Sequence, residues 1–215
     1  MRKRLSILAI GAHPDDFELG CGGTLRQHVK NGDRVYGLVL TRGEKGKHNP
    51  TCKECRSSAR LIGLEEVTIL NFPDTGLRDN GEVISAIREY IRKYKANIVY
   101  GHTVKDCHQD HRYAALALKS AVNIRDGIKA VYLFEGPSTD ASFEPHHHEN
   151  ITSTFNFKLR AIKKYESQLE RGGSILDLDW VEDKALGRGN EIKPRNKKGK
   201  IFYAEAFEIN HTVNY

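Results

Sequence analysis

The chain has 215 residues, of which 39% are hydrophobic and 29% are charged, with 19 glycines and 6 prolines. This composition fits one globular domain with a substantial core, and it excludes collagen-like, disordered and disulfide-scaffold proteins. The longest apolar runs, such as Leu5–Ile10, are far shorter than the roughly 20 residues that a membrane-spanning helix needs.

The formal net charge of +6 comes from one segment near the C-terminus. Residues 184–200 contain seven basic residues against the single acidic residue Glu191, which leaves 27 basic and 27 acidic residues elsewhere. A net positive charge can indicate a nucleic-acid partner, but here the rest of the chain is neutral. We therefore interpret residues 184–200 as one exposed basic loop and expect no nucleic-acid partner.

The N-terminus and the cysteines favour a cytoplasmic protein. Met1–Arg4 is basic, but the apolar stretch after it is interrupted at Gly11, so we expect no signal peptide and no membrane insertion. Four cysteines then indicate free thiols in a reducing compartment. Cys52 and Cys55 have CxxC spacing, but no second pair completes a zinc knuckle, so we interpret them as two thiols on adjacent helical turns.

Short apolar segments alternate with segments of helical periodicity. The predicted strands are Leu5–Ile10, Val35–Leu40, Val67–Phe72, Ile98–Tyr100, Ala130–Phe134 and Ile201–Ile209. The predicted helices are Leu19–Val29, Glu54–Leu64, Val83–Tyr94, Tyr113–Val122 and Phe157–Leu169, and Asp183–Gly199 is predicted to be a loop. Helices between successive buried strands imply right-handed crossovers, so we predict one α/β domain, residues 1–215, with a mainly parallel sheet flanked by helices.

Imidazoles and carboxylates follow the predicted strands at the edge where α/β proteins bind ligands. They are His13, Asp15, Asp16 and Glu18 after the first strand, Glu44 after the second, Asp74 after the third, and His102, Asp106, His108, Asp110 and His111 after the fourth. Histidine and aspartate are ligands for a divalent metal such as zinc. A lone HxxH or a lone helix-capping Asp is common without a metal, but both motifs at one sheet edge predict a metal site.

The adjacent carboxylates Asp15 and Asp16 point in different directions in any regular backbone. The residue types therefore favour one carboxylate as a metal ligand and its neighbour as a general base toward metal-bound water. His108 and His111 lie three residues apart on one helix face, so that one imidazole can bind the metal while the other faces the substrate.

These motifs resemble those of the PIG-L/LmbE-like zinc-dependent N-acetylglucosaminyl deacetylase family. The matching segments are Ala12–Glu18, Gly22–Leu25, Thr41–Glu44, Pro73–Asp74, Gly76–Leu77, Asp106–His111, Tyr165–Gln168 and Tyr203–Phe207. They span nearly the whole chain in order. The resemblance implies a Rossmann-like three-layer fold and hydrolysis of the N-acetyl group of an amino sugar or its conjugate, with Zn²⁺ as cofactor and a homo-oligomeric state, trimer or hexamer.

The resemblance also implies roles for individual residues. His13, Asp16 and His111 would be the zinc ligands, and Asp15 the general base that deprotonates the metal-bound water. His108 would stabilise the oxyanion or protonate the leaving amine, and Asp110 would orient His108.

Substrate contacts are implied for Arg42, Glu44, Arg56 and Asp74. Thr51 departs from the family pattern, because many members carry at that position an arginine implicated in substrate binding. Arg42, Lys53 or Arg56 is then a candidate replacement. We interpret His146–His148 as an exposed loop in preference to a part of the pocket.

Two other functions fit parts of the sequence. Metal-dependent phosphoester hydrolysis uses similar ligands, although two-metal phosphatases usually need more bridging carboxylates than this pattern supplies. A nucleic-acid-binding module would use the basic segment 184–200 and would show steeply salt-dependent binding. Dinucleotide binding is disfavoured because Gly20–Gly23 lacks GxGxxG spacing and lies inside the expected helix.

Overall fold

A computed structural model describes residues 3–45, 52–169, 177–194 and 199–212 of the chain. The described strands are β1 (Ser6–Gly11), β2 (Arg34–Thr41), β3 (Glu66–Phe72), β4 (Ile98–His102), β5 (Ala130–Phe134), β6 (His147–Asn150) and β7 (Ala204–Thr212). The described helices are α1 (Asp16–Lys30), α2 (Cys52–Ile62), α3 (Gly81–Lys93), α4 (Gln109–Ala121), α5 (Phe155–Ile162), α6 (Glu166–Leu169) and α7 (Leu178–Ile192).

The strands form one sheet in the order β3-β2-β1-β4-β5-β7-β6. Strands β1 to β5 are parallel, whereas β7 runs antiparallel to β5, and β6 antiparallel to β7. The predicted α/β fold with a mainly parallel sheet is therefore confirmed. Because the first five strands are parallel, their carboxyl ends meet at one edge of the sheet.

The sheet separates two hydrophobic cores, which explains why its central strands are apolar on both faces. Ile7 and Ala9 of β1 pack with α1, α2, α5 and α7, while Leu8 and Ile10 pack with α3 and α4. The result is the three-layer arrangement that the sequence predicts. In the part of the chain that the structure describes, none of the helices has the length and hydrophobicity of a bilayer-spanning segment.

Helix α1 is kinked at Cys21, whose φ of −145° is not helical. The glycines beside it allow close packing: a Cβ on Gly20 would lie 2.2 Å from the ring of Phe134, and a Cβ on Gly23 would lie 2.7 Å from Ile151. The segment Gly20–Gly23 is thus a packing contact of the helix. No dinucleotide loop is needed to explain it.

A buried ion pair satisfies the backbone groups that the kink separates. Gly23 N donates to Glu205 Oε1 (2.9 Å), and the carbonyl of Leu19 accepts from Lys158 Nζ (2.6 Å), although these two groups would bond to each other in a regular helix. Lys158 Nζ also lies 2.6 Å from Glu205 Oε1, and Thr24 donates its backbone N–H (2.8 Å) and its hydroxyl (2.6 Å) to Oε2. Glu205 therefore caps the second half of α1 from strand β7.

Several predicted element boundaries differ from the structure. The region predicted as one helix, Phe157–Leu169, is divided into α5 and α6, with Tyr165 between them fully buried. The last strand begins at Ala204 and ends at Thr212, instead of Ile201–Ile209. His147 and His148 belong to the edge strand β6, so the predicted loop at His146–His148 is wrong at these two positions.

The predicted basic loop is wrong for most of its length, because helix α7 extends to Ile192. The Asp177 side chain caps this helix by accepting from Asp179 N, and Val181 and Ala185 are buried in the core. Gly189, which suggested a loop, packs so closely that a Cβ would lie 1.8 Å from the carbonyl oxygen of Phe202. Of the rest of the predicted loop, residues 195–198 lie outside the described residues.

Two of the basic residues on α7 pair with one buried carboxylate. Glu135, directly after β5, accepts from Arg188 Nε (2.7 Å) and Nη2 (2.9 Å) and lies 2.9 Å from Lys184 Nζ. Burial disfavours its charged form, but Arg188 and Lys184 outweigh this effect and hold the pKa of Glu135 below its ordinary value. Part of the basic segment therefore attaches α7 to the sheet.

The substitution Glu205→Gln is expected to lower the free energy of unfolding by about 3 kcal/mol, because it leaves the Lys158 ammonium buried without a counter-charge. Urea unfolding monitored by circular dichroism measures the change. The exposed Glu89→Gln is the matched control and should change the stability by less than about 0.5 kcal/mol. Equal midpoints for the two variants would contradict the proposed capping role.

Glu135 makes the stability dependent on pH. A carboxylate whose pKa is lower in the folded state stabilises the fold above its unfolded pKa of about 4.3, and the contribution is lost as the pH falls through the folded pKa. The difference in unfolding free energy between wild type and Glu135→Gln should therefore be largest at pH 7 and shrink below about pH 4. A difference that stays constant over this range would show that the ion pairs do not stabilise the protein.

Candidate active site

A pocket of about 480 Å³ opens at the carboxyl edge of the parallel strands. It is lined by His13, Pro14, Asp15, Asp16, Leu19, Gly43, Lys45, Asp74, Thr75, His108, His111, Pro137, Ser138 and Gln168. The lining comes from the segments that follow β1, β2, β3, β4 and β5, together with α6. The polar residues that the sequence concentrates at these strand ends therefore meet in one cavity.

Three side chains converge at the floor of this pocket. His13 Nδ1 lies 3.3 Å from His111 Nε2 and 3.6 Å from Asp16 Oδ2, and His111 Nε2 lies 3.3 Å from Asp16 Oδ1. These are the three residues for which the sequence predicts metal binding. Two imidazole nitrogens and a carboxylate are a donor set that suits zinc.

The turn after β1 positions two of these residues. Asp16 Oδ2 accepts a hydrogen bond from the backbone N–H of His13 (2.7 Å), which closes the turn on the first residue of α1. Asp15 occupies the N-cap position with φ of +93°, a left-handed conformation that is uncommon outside glycine, and its side chain makes no capping hydrogen bond. The carboxylate of Asp15 lines the pocket instead.

The outer ring nitrogen of each histidine faces carboxylate. His13 Nε2 lies 3.1 Å from Asp74 Oδ1 and 3.3 Å from Asp110 Oδ2. His111 Nδ1 lies 3.2 Å from Asp106 Oδ2. Metal-binding histidines usually donate their second ring N–H to such a group, which fixes the ring and its tautomer. The residues present therefore fit a divalent cation between His13, Asp16 and His111.

The electrostatics of the cluster favour positive charge. Burial disfavours the charged form of His13, yet hydrogen bonds to Asp110, Asp16 and Asp74 raise its pKa well above the usual value. Burial likewise acts against His111, but the charge of Asp16 and the contact with Asp106 raise its pKa to about 9. The surrounding carboxylates therefore favour positive charge at this point, which a proton or a divalent cation can supply.

Asp15 and His108 have the opposite electrostatic tendencies. Burial and the neighbouring charges of Asp16 and Glu18 raise the pKa of Asp15 well above its usual range. Burial and the charges of His111 and His13 lower the pKa of His108. A carboxylate with a raised pKa accepts a proton more readily, and a neutral imidazole can donate a hydrogen bond without carrying charge.

The contacts of Asp110 differ from the sequence-based expectation that it orients His108. Its carboxylate Oδ2 faces His13 and accepts from the backbone N–H of Thr75 (2.7 Å). His108 instead contacts the backbone of Asp110, because His108 Nδ1 accepts from Asp110 N (3.2 Å) as the N-cap of α4. The cause is helical geometry: an N-cap side chain turns back toward the first turn of its own helix.

The predicted substrate residues occupy different places. Asp74 lines the pocket, but it contacts His13 and accepts from Lys45 N (2.7 Å). Glu44 Oε1 accepts from the backbone N–H of Asp74 (2.9 Å), so it supports the same loop. Exposed Arg42 and Arg56 are not part of the pocket lining, and Arg56 Nη1 lies 3.4 Å from the carbonyl of Val67. Thr51 lies outside the described residues.

Other residues of the site carried no predicted role. Asp106 and His102 are buried beside His111 and Asp16, with His102 Nε2 2.9 Å from Asp16 Oδ2. His102 is the last residue of β4, and Asp106 follows that strand. Their position at the end of a predicted strand is the sequence feature that could have indicated a role in the site. Ser138 and Gln168 also line the pocket, but only the tertiary fold brings them there.

Comparison with known proteins identifies relatives. Residues 8–122 match the protein family described as PIG-L: GlcNAc-PI de-N-acetylase. The chain is 36% identical over 174 residues to the uncharacterized deacetylase YaiS of Escherichia coli (strain K12). The aligned region covers 77% of this chain and 92% of that protein. It is 29% identical over 224 residues to the diacetylchitobiose deacetylase of Thermococcus kodakarensis, covering 94% of this chain and 84% of that protein.

Two further similarities concern a second activity and the fold. The 4-oxalmesaconate hydratase of Pseudomonas putida is 24% identical over 235 residues, covering 94% of this chain and 88% of that protein. The crystal structure of the conserved protein TT1542 from Thermus thermophilus superposes with a TM-score of 0.81 at 27% identity, covering 98% of this chain and 97% of that one. The two proteins therefore share their fold over nearly their full lengths.

The converging donor atoms predict that the protein binds one Zn²⁺ ion per chain. His111→Ala removes one of the three donors and should weaken binding by more than about 100-fold, beyond the 10–100-fold typical of outer contacts. Isothermal titration of the metal-free protein with Zn²⁺ measures the number of ions bound per chain and the Kd. The exposed His146→Ala is the control and should bind as wild type does. Equal affinity of the two variants would exclude this site.

Proposed function

The chain belongs to the PIG-L family of deacetylases, and from this we propose that it is a zinc-dependent hydrolase that removes the N-acetyl group from an amino sugar of the N-acetylglucosamine type or its conjugate. The observation that carries the proposal is the convergence of His13, Asp16 and His111 within 3.6 Å at the floor of a pocket that Asp15 also lines. Family membership favours deacetylation, and this geometry supplies residues that can perform it.

His13, Asp16 and His111 would hold the metal. When bound there, zinc supplies Lewis-acid activation of water and stabilisation of negative charge on the amide oxygen. The carboxylates Asp74, Asp110 and Asp106 hold the outer ring nitrogens, so the two imidazoles keep the orientation that binding requires. An amide needs this assistance because it is a poor electrophile with a poor leaving group.

We assign the proton transfers to Asp15. Its raised pKa makes it a competent acceptor for a proton of the attacking water, and no capping hydrogen bond competes for its carboxylate. The protonated Asp15 then delivers the same proton to the leaving nitrogen, so that the products are acetate and the free amine. One residue thus serves as base and then as acid.

We propose that His108 donates a hydrogen bond to the amide oxygen of the substrate. Its Nδ1 accepts from Asp110 N, so in the neutral ring the proton is on Nε2. His108 lines the pocket, and its lowered pKa favours this neutral form. Of the two roles that the sequence left open, oxyanion stabilisation fits these contacts better than protonation of the amine.

The substrate is proposed from the pocket and the relatives together. A volume of about 480 Å³ accommodates a sugar or a short sugar conjugate, and Lys45 at the rim offers a cation to an acidic substituent. The relative from Thermococcus kodakarensis is named for diacetylchitobiose, which makes N-acetylated sugars the first compounds to test. A homo-oligomeric state, which the family resemblance implies, and a cytoplasmic location, which the free cysteines favour, are further parts of this proposal.

Hydration of a carbon–carbon double bond is the second candidate, because one relative that matches 94% of the chain is a hydratase. The same water-activating residues would serve both reactions. Only hydrolysis releases acetate, so an acetate assay separates the two functions.

The substitution Asp15→Asn tests the mechanism. An amide cannot accept the proton, so kcat should fall by about 10²–10⁴-fold, while Zn²⁺ still binds because the ligands remain. Acetate release is measured on N-acetylated sugars that are free, nucleotide-linked, inositol-linked or thiol-linked, and on diacetylchitobiose, with Zn²⁺ present. The exposed Asp79→Asn in another loop is the control. If Asp15→Asn released acetate at the wild-type rate, the assigned base would be wrong.

A further inference from the structure

We propose that Asp106 is a positioning residue of this site: its carboxylate fixes the ring of His111, the backbone of His108 and the loop 137–139, of which Pro137 and Ser138 line the pocket. The proposal rests on the proposed function for the roles of His111 and His108. It assigns to Asp106 a role that follows from its own contacts.

The carboxylate of Asp106 is 3% exposed, and both of its oxygens have two neighbours. Oδ1 accepts from the backbone N–H of His108 (2.7 Å) and from the hydroxyl of Ser138 (2.6 Å). Oδ2 lies 3.2 Å from His111 Nδ1 and 3.3 Å from the hydroxyl of Thr139. Four donors from two segments, the start of α4 and the loop after β5, therefore share one buried carboxylate.

Asp106 determines which nitrogen of His111 is available as a ligand. An ionised carboxylate only accepts hydrogen bonds, so Nδ1 of His111 must carry a proton when it faces Oδ2. In the neutral ring, Nε2 then has a free lone pair, and Nε2 is the atom that lies 3.3 Å from both Asp16 Oδ1 and His13 Nδ1. The contact therefore prepares the ring for metal binding.

Asp106 also joins the metal ligand to the wall of the pocket. Its backbone forms an isolated antiparallel bridge with Thr139, and Cys107 N donates to the carbonyl of Ser138 (2.8 Å). Pro137 and Ser138 line the pocket. A displacement of the carboxylate would therefore move the ligand and the substrate-facing wall together.

The substitution Asp106→Asn keeps the size of the side chain but adds two N–H donors. If its NH₂ group faces His111, Nδ1 must accept, and the ring proton moves to Nε2, which blocks metal binding. If the amide is turned over, its NH₂ group faces the backbone N–H of His108, and α4 loses an anchor. Each orientation places the NH₂ group against a nitrogen that donates to the wild-type carboxylate, so the Kd for Zn²⁺ should rise about 10–100-fold, as for other outer contacts of metal ligands.

Titration of the metal-free variants with Zn²⁺ tests this directly, without a substrate. Asp140→Asn, at a half-buried position beyond the same wall, is the matched control. It should bind Zn²⁺ within about twofold of wild type, because the Asp140 carboxylate accepts from Ser142 and not from a metal ligand. Asp106→Glu retains an acceptor-only group and should bind Zn²⁺ more tightly than Asp106→Asn. Wild-type affinity in a folded Asp106→Asn protein would overturn the proposal.

Ser138→Ala provides a second test that does not alter the carboxylate. It removes one donor from Oδ1 and a hydroxyl that lies 3.3 Å from His111 Nδ1, and it loosens the wall. KM for the acetylated sugar should therefore rise, while the Kd for Zn²⁺ changes less than in Asp106→Asn because the carboxylate still faces His111. If Asp106→Asn does not fold, unchanged KM and unchanged Zn²⁺ affinity in Ser138→Ala overturn the proposal. If wild type releases no acetate but Asp106→Asn loses Zn²⁺ affinity, the proposed function fails and the role of Asp106 stands.

Discussion

Buried negative charge at the carboxyl edge of the sheet is the constraint around which the site is built. Asp16, Asp74, Asp106 and Asp110 are each at most 6% exposed, and each of them contacts His13 or His111. Burying carboxylates without compensation is costly, so this arrangement needs positive charge at its centre. The raised pKa values of both histidines reflect this excess of negative charge. A divalent cation between the inner nitrogens of the two rings would compensate it further.

The parallel topology of the sheet brings these charged residues together at its carboxyl edge. Parallel strands bring the ends of β1, β3 and β4 to one edge, and short turns after them carry the ligands and the groups that hold them. Two of these turns contain strained residues, Asp15 with φ of +93° and Thr75 with φ of +60°. Such conformations persist where surrounding contacts enforce them, here hydrogen bonds to Asp16 and Asp110. The strained backbone therefore lies in the turns that orient the side chains of the site.

The sheet, and the edge at which the candidate site residues lie, can be predicted from the sequence because both follow from local patterns. Apolar strands indicate a buried parallel sheet. The residues that follow such strands lie at the carboxyl edge of the sheet, as His13, Asp16 and His111 do. Two other features depend on contacts between distant segments. Helix α7 was predicted as a loop because Gly187, Gly189 and Pro194 look like loop residues, and only the contact of Gly189 with Phe202 explains the helix. The direction of Asp110 toward His13 likewise depends on Thr75, a residue 35 positions away.

The central claim is that a metal ion held by His13, Asp16 and His111 supports hydrolysis of an N-acetylated amino sugar. The most direct measurement is acetate release from the best substrate before and after the metal is removed with a chelator, and again after stoichiometric Zn²⁺ is restored. The account predicts that acetate release falls to background without metal and recovers with one Zn²⁺ ion per chain, while the fold is retained. Release at the full rate by metal-free, folded protein would contradict it.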